Sequence, residues 1–166
     1  MTIPIETERK FLLTKMPKHL GVGIKIVQGY LAKKGTTVRV RIADDQAVLT
    51  IKGKPKEGEL GKPEFEYPIP IEHAQYMIDN LCDDRVIYKV RHMVAFDNYV
   101  YEVDIFGGAL KGMVVAELEY PASSGPLILT HSTPDWIGEE ITNAKWYTNK
   151  NLAKTQVIPL DYTGPK

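Results

Sequence analysis

Apolar and polar residues alternate with period two along most of the chain. Such alternation marks strands with one buried and one polar face. It holds over 3–13, 24–32, 36–43, 46–53, 62–69, 84–96, 99–106 and 112–120, which predicts eight strands. Turn signals separate them at Lys33-Lys34-Gly35, Asp44-Asp45, 53–61, Asp97-Asn98 and Gly107-Gly108. Breaks this short join antiparallel hairpins, not parallel crossovers. The spacing of Ala74, Met77, Ile78 and Leu81 predicts a helix over 71–82, and a second is predicted over 142–154 with Thr142 as its cap. Segment 121–137 reads as loop or short helix, and the tail 155–166 as a straggling end. The expected class is α+β, mainly antiparallel β, with a single domain over 1–154 and then the tail.

The polar faces carry an ordered charge pattern. In chain order they present Glu6, Glu8 and Lys10; then Arg39 and Arg41; Thr50 and Lys52; Glu64 and Glu66. Arg85, Lys89 and Arg91 follow, then Glu102 and Asp104, and last Glu117 and Glu119. Only the second strand, with Gln28 and Tyr30, has no charge there. The opposite faces are mostly apolar, as in Val38, Val40 and Ile42 or Tyr101, Val103 and Ile105. A solvated sheet face explains any one strand, but such faces normally mix signs. Here six like-charge pairs stand two residues apart, about 7 Å. Same-sign clusters cost stability unless they bind something. If the sheet closes with these faces inward, eight acids and seven bases share one lumen. Clustered carboxylates suit hard cations such as Mg²⁺ or Mn²⁺, and clustered Arg and Lys suit phosphate. Together they fit a metal–polyphosphate complex. A barrel of about eight strands has room for a slim ligand.

Composition narrows the alternatives. At 166 residues the chain can bury one sizeable core. Its 21 basic and 21 acidic side chains cancel, which argues against a bulk polycation for nucleic acid or a membrane surface. No stretch approaches the roughly 20 apolar residues of a membrane span. Charges interrupt the N-terminal MTIPIETERKFLL where a signal peptide needs an apolar run, so a cytoplasmic location is expected. The lone Cys82 leaves no intrachain disulfide or Cys-rich zinc site and reads as a small core residue. There is no P-loop motif, and Gly21-Val22-Gly23 lacks the third glycine of a dinucleotide fingerprint. His19, His73, His92 and His131 show no metal spacing, and Ser123, Ser124 and Ser132 suggest no nucleophilic triad.

The ordered set resembles the CYTH family, the triphosphate tunnel metalloenzymes. It begins with E-x-E-x-K at Glu6-Thr7-Glu8-Arg9-Lys10 and continues with R-x-R (Arg39, Arg41), Lys52 of Thr50-Ile51-Lys52-Gly53, and E-x-E (Glu64, Glu66). K-x-R (Lys89, Arg91), E-x-D (Glu102, Asp104) and a late E-x-E (Glu117, Glu119) complete it. Residues 136–142 and Tyr147-Thr148-Asn149 look like the small bacterial members, and the resemblance spans roughly 3–154. It implies an eight-stranded closed antiparallel β-barrel with flanking helices that hydrolyses or rearranges triphosphates with Mg²⁺ or Mn²⁺. It further implies that Glu6, Glu8, Glu117 and Glu119 gather at the metal and that Lys10, Arg39, Arg41, Lys52, Lys89 and Arg91 grip phosphates. Glu102 and Asp104 join the metal set; Glu64 and Glu66, with Glu6, Glu8 and Lys10, join the catalytic set. One departure is local: Ala144 and Trp146 stand where relatives usually carry an acid and a base, and Lys145 or Lys150 is the candidate replacement.

The function expected is metal-dependent hydrolysis of a small-molecule triphosphate, inorganic triphosphate foremost. The alternatives are an adenylyl cyclase of the same family, a nucleoside or thiamine triphosphatase, and a non-catalytic polyphosphate-binding module. A pure anion binder gains nothing from eight inward acids. Outward apolar faces that two helices leave uncovered favour a homodimer.

Overall fold

Two tight turns show how closely sequence sets register here. Asp44 (φ 49°) and Asp97 (φ 53°) take left-handed conformations that short polar residues tolerate. Each heads a two-residue hairpin, closing Ala43 onto Gln46 and Phe96 onto Tyr99. Asp44 also accepts a hydrogen bond from Lys25 N at 3.0 Å.

A computed structural model describes residues 5–31, 36–54, 62–121 and 133–166, without the side chains of Glu6 and Pro121. The expected turns at 33–35 and 55–61, most of the 121–137 segment, its three serines and His131 lie outside these residues. Eight strands fall within two residues of their predicted positions: β1 (Ile5–Leu13), β2 (Gly23–Tyr30), β3 (Thr37–Ala43), β4 (Gln46–Lys52), β5 (Lys62–Pro68), β6 (Val86–Phe96), β7 (Tyr99–Phe106) and β8 (Val114–Pro121). A further strand, β9 (Ile137–Glu140), exceeds the eight expected. The antiparallel order is β5-β4-β3-β2-β6-β7-β8-β1-β9, and β5 also pairs with β1 at Ile5↔Pro63 and Glu6↔Lys62. The reason for β9 is the free edge of β1. That strand gives β5 only its first two residues, and β9 pairs with its far end at Phe11↔Glu140 and Leu13↔Ile137.

The helix α1 (Ile71–Leu81) packs on β2, β3 and β4 through Ala74, Ile78 and Cys82. These recur every fourth residue, so Leu81, expected inward, is half exposed. At Gly29 a Cβ would collide with Cys82 Sγ, so only glycine lets the helix end sit this close. The second helix, α2 (Asn149–Thr155), starts later than predicted. Its cap is Thr148, whose Oγ1 accepts from Asn151 N. The Thr142 hydroxyl is otherwise engaged, accepting from Lys10 N at 3.0 Å and donating to Glu140 at 2.7 Å. The tail does not straggle. Tyr162 accepts from Val114 N at 2.7 Å, and Asp161 accepts from the Tyr147 hydroxyl at 3.0 Å.

The polar strand faces are not polar throughout. Leu12, Ile87, Phe106 and Val115 share the faces of Lys10, Lys89, Asp104 and Glu117, two residues along in each case. With Tyr30, Ile141, Tyr147, Leu152 and Ala153 they form a buried apolar cluster. The C-terminal segment therefore caps one end of the charged interior, where charge on all sides was expected.

Candidate active site

Strand alternation aims the predicted charges at one cavity of about 1010 Å³. Glu8, Lys10, Arg39, Arg41, Lys52, Glu64, Glu66, Arg91, Glu102, Glu117 and Glu119 all line it. Glu8 and Glu119 are directly opposite on β1 and β8, as are Glu102 and Glu117 on β7 and β8. Glu6 lies in β1 across from Pro121 and Lys62, and its side chain is outside the described residues. Arg85, read as the start of the sixth polar face, precedes β6 and donates to the Cys82 and Leu31 carbonyls.

The floor is a buried ion network. Arg91 donates to Asp104 through Nε and Nη2, both at 2.7 Å, and through Nη2 to Glu117 at 2.8 Å; it also pairs with Glu102. Lys89 Nζ meets Asp104 Oδ2 at 2.5 Å, and Lys10 Nζ meets Glu117 Oε1 at 2.6 Å. Two predicted contact residues lie beneath the cavity. Asp104 has no exposed surface, Lys89 is 5% exposed, and neither lines the cavity. Both oxygens of Asp104 are taken by Lys89 and Arg91, so its described role is to hold Arg91.

The opposite wall is looser. Arg39 lies 3.4 Å from Glu66 and 3.6 Å from Glu64, Arg41 lies 3.5 Å from Glu66, and Lys52 lies 3.0 Å from Glu64. Thr50 donates to Glu66 at 2.9 Å and accepts from Arg39 at 3.1 Å.

Electrostatics differ sharply between neighbouring acids. Burial alone would raise Glu117, but Lys10, Lys89 and Arg91 outweigh it and hold the carboxyl well below the usual range. Burial pushes Glu102 up to about 7; Arg91 opposes, while Glu119, Glu117 and Asp104 add repulsion. A carboxyl raised from about 4.5 to about 7 contributes stability that is fully present below the lower value and lost as pH rises through the upper one. Glu102→Gln mimics the protonated form. In chelator, its stability advantage over the parent protein should grow by about 1–3 kcal/mol between pH ~5 and ~8. Urea melts at several pH values measure this, and a pH-independent difference would contradict it.

Several lining residues were named in the sequence but not placed among the site residues. Asn149 donates to Glu117 at 3.4 Å, and Tyr30 and Tyr147 reach the wall from the apolar cap. Lys150 lines the cavity and donates to Thr37 at 3.3 Å, whereas Lys145 does not line it. Trp146 is 51% exposed, donates its indole N–H to Asp161 at 3.3 Å and is likewise outside the lining, so the indole offers no stacking surface there. The place of Asn149 and Lys150 depends on where α2 docks, which no local pattern encodes.

The donor set fits a hard divalent cation, since every acidic group at the cavity presents carboxylate oxygen. Among the described residues no three His, Cys, Asp or Glu side chains form a ready-made metal cluster. No helix among them is long and apolar enough to cross a membrane.

This antiparallel sheet with a charge-lined cavity has known counterparts. The CYTH domain family model matches residues 4–120, and the chain belongs to that family. It is 37% identical over 151 residues to a protein of Acetivibrio thermocellus named inorganic triphosphatase, covering 90% of this chain and 93% of that one. A Nitrosomonas europaea protein of the same name is 29% identical, covering 89% and 96%. A solved structure of an inorganic triphosphatase superposes with a TM-score of 0.64 at 27% identity, covering 93% of this chain and 96% of that one.

Proposed function

We propose that the protein hydrolyses inorganic triphosphate to pyrophosphate and orthophosphate with a divalent cation. The observation that carries this is one cavity lined at once by eight Lys or Arg side chains and six glutamates. We read the short β1–β5 pairing as the seam that closes the wall into an eight-stranded tunnel. Glu8 and Glu119, opposite each other, would hold the cation with Glu6 and help from Glu102 and Glu117. When bound, it would neutralise phosphate oxygens and lower the pKa of a coordinated water. Lys10, Arg39, Arg41, Lys52 and Arg91 would hold the phosphate chain in line for water attack on a terminal phosphorus. The bond from that phosphorus to its bridging oxygen breaks, and pyrophosphate leaves. Lys10 stays charged throughout: burial would lower its pKa, but Glu117 and Glu8 raise it above the ordinary lysine value. It is therefore an electrostatic group, not a proton donor. A cytoplasmic location suits the single cysteine, and the half-exposed Tyr67, Ile71 and Tyr76 on the outside favour a homodimer.

Substrate preference follows from the lining. Tyr30 and Tyr147 are buried in the apolar cap, which leaves half-buried Tyr120 as the remaining described aromatic at the wall. Among the described residues nothing forms a purine slot, so affinity would come from phosphate. Inorganic triphosphate should have a higher kcat/KM than ATP, and ATP should yield no cyclic AMP. A panel of triphosphate, ATP and thiamine triphosphate with Mg²⁺ or Mn²⁺ tests this. ATP as the better substrate would transfer the assignment to a nucleotide enzyme.

A further inference from the structure

The cavity's cations fall into two groups. Lys10, Arg39, Arg41, Lys52 and Arg91 each stand 2.6 to 3.6 Å from a carboxylate oxygen. Their charge is matched before substrate arrives, so phosphate must displace a carboxylate or share the cation with it. Lys54, Lys62 and Lys150 also line the cavity but make no ion pair among the described residues. The fold puts these three at one mouth. Lys54 lies two residues beyond Lys52, just past the end of β4. Gly53 N donates to Pro63 O at 2.8 Å, which brings Lys62 at the start of β5 alongside. Thr37 faces Lys52 across β3 and β4 and accepts from Lys150 Nζ, which brings α2 to the same mouth. Three like charges from three separate elements converge where the interior opens, and among the described residues their one side-chain partner is the neutral Thr37 hydroxyl at Lys150.

We propose that Lys54, Lys62 and Lys150 form a capture subsite for the triphosphate polyanion, acting on association and not on bond breaking. This rests on the triphosphate reading above. Unmatched cations at the rim of a low-dielectric cleft focus the field on an incoming anion and raise its association rate. That field is screened by salt, unlike the tightly paired groups below. Lys54 and Lys62 are exposed and Lys150 half-buried, so their removal leaves the core untouched.

The test compares a Lys54→Gln/Lys62→Gln/Lys150→Gln triple variant with a Lys18→Gln/Lys111→Gln/Lys154→Gln control that changes net charge equally at exposed positions. At low salt the first should lose about 10- to 100-fold in kcat/KM for inorganic triphosphate, with kcat within about twofold. Its kcat/KM should also depend less steeply on ionic strength. In EDTA, calorimetric binding of triphosphate should weaken in parallel. The control should match the parent protein, and a Lys→Arg triple variant should keep the steep salt dependence. Equal falls in kcat and kcat/KM would overturn the proposal by moving these lysines into the chemical step. Unchanged kcat/KM, or an equal loss in the control, would overturn it too. A parent protein that neither binds nor hydrolyses triphosphate marks failure of the functional reading itself, and removes this inference with it.

Discussion

Glu8→Gln is expected to slow inorganic triphosphate turnover at least about a hundredfold, the loss typical when a metal's immediate surroundings are disturbed. The change keeps the shape of the side chain and removes one anionic oxygen. Glu8 lines the cavity directly across from Glu119, where two carboxylates from adjacent strands face the same space. The hydrophobic cores lie elsewhere, so the melting temperature without metal should move little. Steady-state kinetics, with a melt as control, measure both. Near-normal turnover would remove the first strand from the metal site.

The largest stability effect should come from Asp104→Ala. The carboxylate is fully buried and holds Lys89 at 2.5 Å and Arg91 by two bonds at 2.7 Å. Arg91 retains Glu102 and Glu117, but no other carboxylate pairs with Lys89 among the described residues. Burial already lowers the pKa of Lys89, with Asp104 as its main opposing partner. Removing one member of a buried pair typically costs about 3–5 kcal/mol. For a chain of this size that is a fall in Tm on the order of 10 °C. Adding Lys89→Met to Asp104→Ala should recover part of the loss, because the orphaned ammonium is gone. Calorimetry of the two variants decides. A double variant no more stable than Asp104→Ala alone would mean that Lys89 is not the residue left stranded.

Alternation made the strands legible because it is a local property. Glu64 and Glu66 share a face whatever else the chain does, and the structure turns both to the cavity. Depth along that face is not local. Phe106 and Asp104 obey the same parity, yet one belongs to the apolar cap and the other lies beneath the cavity floor. Lys89 likewise alternates with Arg91 as a cavity residue should, but it is sealed under it. The strand β9 exists because β5 leaves part of the β1 edge unpaired, which is a fact about two distant segments. Thr142 and Thr148 are both credible caps in sequence. What decides between them is the Lys10 amide, which occupies Thr142 from far away in the chain. The like-charge pairs along each strand were readable, whereas the lysines without an ion pair among the described residues were not, because pairing depends on which elements meet at the mouth.

The most direct measurement is ³¹P NMR of inorganic triphosphate incubated with the purified protein, with Mg²⁺ or Mn²⁺ and then with excess EDTA. Metal-dependent triphosphate hydrolysis gives pyrophosphate and orthophosphate in equal amounts, and chelation stops it. Triphosphate left intact with either metal, or cleavage that continues undiminished in EDTA, would contradict it.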